Sequence, residues 1–174
     1  MLPLKRREFI TLLSGAAAWP LAARAQQPAM PVIGFLHLTS LATNRENLAD
    51  FRRGLEDTGY IENKNVTIEY RWAQSRNDQL PILVAELVRQ QVSVIVVLES
   101  TNSALAARAA TQTIPIVFMQ SADPIRIGLV NSLNRPGGNL TGINLLLAET
   151  SGKRLELLLE LVPAAKTVAH LRNP

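Results

Sequence analysis

The sequence predicts an α/β fold, a parallel sheet covered by helices on both faces in the doubly wound, Rossmann-like manner. Two observations carry that prediction. Short apolar runs such as Val92–Leu98 (VSVIVVL) and Ile114–Met119 (IPIVFM) lack the alternation of a half-exposed strand and suit strands buried on both sides. Between such runs lie segments whose apolar residues recur at helical spacing, so strand and helix alternate along the chain, the pattern of βαβ units.

Pro31–Leu38 (PVIGFLHL) reads as the first buried strand. Leu48, Phe51 and Leu55 then place one apolar stripe on a helix, which Gly59 is expected to end in a left-handed position. In Asn65–Trp72 the residues Val66, Ile68, Tyr70 and Trp72 alternate on one face, a strand pattern. Leu80, Leu83, Val84, Leu87 and Val88 mark a second helix, with Asn77 and Asp78 as expected caps. The strand at Val92–Leu98 is followed by an alanine-rich helix from about Ser103 to Thr111, then by the strand at Ile114–Met119. A short helix is expected around Ile125–Leu133, leading into the loop Asn134–Asn139. The chain closes with a helix from about Gly152 to Leu161, striped by Leu155, Leu158, Leu159 and Val162, and a strand at Thr167–Leu171.

Before the first strand, Lys5, Arg6 and Arg7 precede a short apolar stretch and the small-x-small site Ala23-Arg24-Ala25. A spanning helix needs about 20 apolar residues, and this run is too short. Residues 1–25 therefore read as an export signal cut after Ala25, which places the product in the periplasm. Arg6-Arg7 followed by Glu8, Phe9 and Ile10 resembles the twin-arginine export motif, a receptor-read address. The leader also explains the formal charge of +4: it holds Lys5, Arg6, Arg7 and Arg24 against Glu8, a net +3, leaving about +1 for the rest. No basic run follows Arg24, so the electrostatic footprint of nucleic-acid binding is missing. Without cysteine there is no disulfide, thiolate metal site, cysteine nucleophile or lipidated cysteine. His37 and His170 lie far apart, outside any metalloprotease spacing, and a lone histidine at a strand end reads as structural. No cofactor or metal is expected.

Ligands of open α/β sheets bind at the carboxyl ends of strands. Three such ends are polar here: Thr39 and Ser40 after the first strand, Glu99, Ser100, Thr101, Asn102 and Ser103 after the strand at Val92–Leu98, and Gln120, Ser121 and Asp123 after the next. Hydroxyls and unfilled amides at helix starts suit a carboxylate or another anion. Ser100, Asn102 and Asp123 are also ordinary N-cap residues, and each taken alone reads as a cap. The three mouths together make a candidate binding site. There is no G-x-G-x-x-G, no Walker lysine and no G-x-S-x-G elbow, so dinucleotide, P-loop and α/β-hydrolase signatures are missing.

The stretches "GLEDTGYIENKNVTIEYRWAQ", "DPIRIGLVNSLNRPGGNLTG" and "KRLELLLELVP" resemble the ABC-transporter substrate-binding proteins related to the tryptophan/tyrosine-binding type, and the likeness runs over essentially the whole chain. That resemblance implies a type I periplasmic binding protein: two α/β lobes joined by a hinge, with a small amino-acid-like or other small organic solute held between them and delivered to an ABC permease in the inner membrane. It implies no catalysis. Residues 26–148 would form the first lobe, and residues 149–174 a hinge-approach helix and the first strand of a second lobe, so the chain reads as truncated after its first lobe. The ligand-facing segments implied are Leu38–Ser40, Ser100–Ser103 and Gln120–Asp123. Relatives commonly carry Gly and Pro at the third-strand mouth, where this chain has Glu99-Ser100-Thr101-Asn102.

Two other classes are open to the same fold. An exported α/β hydrolase or glycosidase-like enzyme would use Glu99 and Asp123, although no histidine–nucleophile pairing supports it. A sugar-responsive regulator would need a helix-turn-helix and no export signal, the reverse of what the sequence has.

Overall fold

The computed structural model describes residues 30–145 and 150–169; the leader and residues 170–174 lie outside them. From Val32 onward the chain forms one compact unit. Five strands, β1 (Val32–His37), β2 (Thr67–Trp72), β3 (Val94–Leu98), β4 (Ile116–Gln120) and β5 (Leu140–Asn144), pair in the order β2-β1-β3-β4-β5. Every pairing is parallel. The helices are α1 (Arg45–Asp57), α2 (Leu80–Arg89), α3 (Thr101–Ala110) and α4 (Ser151–Leu161). The architecture is that of an α/β, type I periplasmic-binding-protein-like lobe.

Alternation along each strand divides the core in two. On one face Leu36, Ile95, Val97, Ile116 and Phe118 meet Leu80, Val84 and Leu87 of α2 and Ala104 and Ala107 of α3. On the other, Ile33, Phe35, Ile68 and Val96 meet Leu48 of α1, with Phe51 and Leu55 packed at the edge. Both stripes read from the sequence therefore point inward, α1 to one side and α2 with α3 to the other. Helix α1 ends where expected: Thr58 caps it and Gly59 follows at φ 87°, its amide bonded to the Glu56 carbonyl.

Four local expectations need correction. Asn77 and Asp78 do not cap α2; they form a 3-10 turn ahead of it, with the Asp78 carboxylate held by Arg76 and Gln79, and Pro81 fills the helix start. Residues 125–133 are a chain of turns rather than a helix. Asp123 Oδ1 accepts the amides of Ile125 (2.9 Å) and Arg126 (3.3 Å), the buried Pro124 carbonyl accepts Leu129 and Val130, and Gly128 takes φ 70°. An Asp–Pro start and a left-handed glycine close one tight turn, and the burial of Leu129 and Val130 holds it against the core. The third correction is β5, an edge strand in a stretch for which the sequence predicts no element. Its entry is fixed by Asn139, whose side-chain amide donates to the carbonyls of Thr111 (3.2 Å) and Ile114 (2.6 Å). Finally, Thr167–Ala169 carry no strand, and the remainder of that expected strand lies outside the described residues.

Candidate functional site

Strand order selects the mouth. From β1 the chain passes to β2 on one side, and β3 is then added on the other, so β1 is the switch point at which a crevice opens beyond the strand ends. A cavity of about 420 Å³ occupies that place. It is lined by His37–Ser40, Thr43 and Asn44 from the β1 end and the approach to α1, by Gln74 and Ser75 beyond β2, and by Glu99 beyond β3. A larger cavity of about 540 Å³ lies beside α4, where Leu155, Leu158 and Val168 give it a more apolar lining. The convergent polar groups belong to the first.

The wall over β1 is a closed hydrogen-bonded turn. The Asn44 side-chain amide donates to Thr39 Oγ1, to Thr43 Oγ1 (3.0 Å) and to the Ser40 carbonyl (3.1 Å). Thr43 donates its hydroxyl to that same carbonyl at 3.0 Å. Asn44 also stands at the N-cap of α1, with no side-chain bond to the first amides of the helix. On the floor, His37 is buried, with its ring 5.6 Å from that of Trp72 and 6.3 Å from that of Phe35. Burial holds the imidazole below its ordinary pKa, against the pull of the Glu99 carboxylate. Glu99 is exposed, and its carboxylate accepts from Asn47 at 3.4 Å.

Backbone strain gathers at the same groove. Gln74 (φ 51°), Ser75 (φ 61°) and Glu99 (φ 55°) are non-glycine residues in the left-handed region, and all three line it. That conformation costs an ordinary residue about 1–2 kcal/mol. At Gln74 and Ser75 the amides donate to the Thr39 (3.3 Å) and Leu38 (2.7 Å) carbonyls, which ties the end of β2 to the wall. The Glu99 amide donates to the Met119 carbonyl at 2.7 Å.

Of the residues singled out from the sequence, the groove brings together Thr39 and Ser40. Ser100 and Ser103 are buried and closed on each other: Ser100 Oγ accepts the Ser103 amide (3.1 Å) and hydroxyl (2.9 Å), capping α3. Thr101 is half-buried at the first turn of α3, and exposed Asn102 donates to Asn77 at 3.0 Å. Beyond β4, Asp123 holds its own turn and Ser121 is exposed. Gln120 is 2% exposed, and its side-chain amide nitrogen and oxygen have no partner among the described residues. Sequence reasoning passed over Gln74, Ser75, Thr43 and Asn44, set His37 aside as structural, and named Glu99 at the polar mouth after the third strand and in the hydrolytic alternative without counting it among the binding residues. The signal for Gln74 and Ser75 was their place just past the second strand, a mouth that matters once β2 is known to neighbour β1. Among the described residues no cluster of histidine and acidic side chains could hold a metal, and no helix is long and apolar enough to cross a membrane.

Comparison with known proteins agrees with this fold. The profile of the ABC transporter substrate binding protein family matches residues 31–174. A tyrosine-binding protein of Clostridioides difficile (strain R20291) is 37% identical over 123 residues, 71% of this chain and 35% of that protein. A conserved domain protein of Vibrio cholerae superposes with a TM-score of 0.69 at 29% identity, over 78% of this chain and 45% of that one. The ligand-free, open form of a Clostridium difficile substrate binding protein with adhesive properties gives 0.67 at 30%, with the same two coverages. A Streptococcus domain solved with L-Trp gives 0.58 at 27%, over 67% of this chain and 39% of that one. The chain thus spans less than half the length of each of these relatives. With the profile covering everything from the first strand onward, the chain belongs to the ABC transporter substrate binding protein family.

Proposed function

We propose that this chain captures an amino acid, an aromatic one in particular, in the groove above β1, and that it serves as the periplasmic solute-binding component of an ABC importer rather than as an enzyme. The observation that carries the reading is the groove at the switch point, where the hydroxyls of Thr39 and Ser40 and the Glu99 carboxylate converge. A zwitterion fits such a lining. Its carboxylate would lie toward the hydroxyls and the amino end of α1, where the helix dipole favours negative charge. Its ammonium would face Glu99. The tyrosine-binding relative and the domain solved with L-Trp support an aromatic amino acid as the solute. Asp123, the other carboxylate of a hydrolytic scheme, is occupied by two amides of its own turn and is not among the groove residues.

Glu99 gives the test. In Glu99→Gly the left-handed backbone is relieved, and part of that gain is returned to the freer unfolded chain, so the variant should be about 0.5–1 kcal/mol more stable in urea titration. The same variant loses a charge-assisted contact worth about 1.5–3 kcal/mol, or about ten- to a hundredfold in affinity. Amide NMR of the chain titrated with L-tyrosine or L-tryptophan reads even weak binding residue by residue. Saturable shifts are expected at His37–Asn44, Gln74, Ser75 and Glu99, reduced at least tenfold in affinity in the variant. Shifts confined to other surfaces, or none with any amino acid, would overturn the reading.

Export follows from the leader as read in the sequence, and delivery to a permease from the family. A reporter fused after Gln27 should reach the periplasm, and Arg6→Lys with Arg7→Lys should block it. Unchanged export in the double variant would assign the leader to the general secretory route.

A further inference from the structure

We propose that His37 is the positioning residue of the groove, an acid-releasable latch by which the end of β1 holds the Thr39–Asn44 wall. The inference rests on the groove being the binding site only for its consequence on solute capture; the latch itself is a statement about the wall.

The latch is built from one ring nitrogen. His37 Nδ1 accepts the Thr39 backbone amide at 3.2 Å and lies 3.2 Å from Thr39 Oγ1. An imidazole nitrogen accepts only when it carries no proton, so this bond assigns the neutral ring with its hydrogen on Nε2. Nε2 is buried and has no partner among the described residues, so the contacts that select the tautomer are those of Nδ1 with Thr39. From Thr39 the hold passes outward. Thr39 Oγ1 takes a hydrogen bond from Asn44 and sits 3.1 Å from Thr43 Oγ1, and both of those side chains are bonded to the Ser40 carbonyl. The other ties between this wall and the sheet are the bonds from Gln74 and Ser75 to the Thr39 and Leu38 carbonyls.

A proton on Nδ1 would set donor against donor at the Thr39 amide. The Thr39 amide would then lose its acceptor at the strand end, while the Gln74 and Ser75 bonds and the Asn44–Thr43–Ser40 bonds stay intact. The groups shown against the ring are neutral: Phe35 on β1, Trp72 on β2, and Thr39 just past β1. Glu99, beyond β3, is the charged group acting on it. Burial opposes protonation more than Glu99 favours it, so the folded ring takes its proton at a lower pH than the unfolded one. The sign follows: the contribution of the neutral ring is complete above the unfolded value of about 6.5 and is lost as pH falls through the folded value.

The test is amide hydrogen exchange and NMR on the full chain from about pH 7.5 down to about 4.5, spanning the ordinary histidine range. In the wild type, protection of the Thr39 amide should be lost with the same midpoint as the His37 ring titration, below about 6.5. His37→Asn keeps an oxygen acceptor near the Nδ1 position and cannot titrate, so Thr39 should stay protected throughout. His37→Phe keeps the ring against Phe35 and Trp72 but offers no acceptor, so Thr39 should be unprotected at every pH. A Thr39 amide indifferent to the ring titration, or an acid transition retained in His37→Asn, would overturn the latch. Should the phenylalanine variant fail to fold, the asparagine variant decides alone. Failure of every amino acid to bind would leave the Thr39 readout unaffected, so the two proposals fail separately.

Discussion

Replacing Phe35 with alanine should cost about 3–5 kcal/mol, the range for truncating a buried aromatic side chain, and should be seen as a shift of the urea midpoint at unchanged slope. Phe35 is 1% exposed on β1, an interior strand of the sheet. Its ring meets Phe51 of α1 at 5.2 Å and Tyr70 and Trp72 of β2 at 5.6 Å each, so one side chain joins an interior strand, the edge strand and the covering helix. The cavity left behind would be bounded by elements that cannot collapse together, since the parallel ladder fixes β1 and β2 in register. It would also undercut the His37 ring, which stacks on the same side chain. The Thr39 amide should therefore lose protection in Phe35→Ala even at neutral pH. A loss of stability under about 1.5 kcal/mol, the cost of a tolerated core swap, would show that the face repacks and that Phe35 is not its centre.

Gly142→Ala should detach β5 from the sheet. The glycine lies opposite Phe118 in the β4–β5 register. A Cβ there would fall inside contact distance of the Phe118 carbonyl oxygen and 2.7 Å from its ring. Phe118 is itself buried in the core, so neither strand can yield without moving the other. Forcing a methyl group into such a place costs about 1–3 kcal/mol or more. Hydrogen exchange should locate the damage, with protection lost across Leu140–Asn144 and β1–β3 unaffected. A variant as stable as the wild type, with β5 still protected, would mean the strands separate slightly at no cost. The same contact explains how a strand can carry a central glycine: the missing side chain is the space that Phe118 occupies.

The sequence by itself determined the layered architecture. Continuous apolar runs fixed β1, β3 and β4, and the stripes Leu48/Phe51/Leu55 and Leu80/Val84/Leu87 fixed which side of each helix is buried, because burial periodicity is a property of the local chain. Gly59 could be assigned its left-handed turn for the same local reason. Tertiary structure decided what depends on neighbours distant in the chain. Strand β5 (LTGIN) has no continuous apolar run, with Thr141, Gly142 and Asn144 among its five residues, and it pairs along the edge that β4 offers, with Asn139 fixing its entry. The helix expected at 125–133 gave way to turns because burying Leu129 and Val130 outweighed local propensity. The site divided along the same line. Polar residues after strand ends are visible in any α/β sequence, and Thr39 and Ser40 were found that way. Which mouths face one another is set by strand order, and placing β1 between β2 and β3 joined Gln74, Ser75 and Glu99 to the groove while leaving Ser100, Ser103 and Asp123 to cap and turn. A sequence lists donors and acceptors; only the folded chain decides which of them are already used.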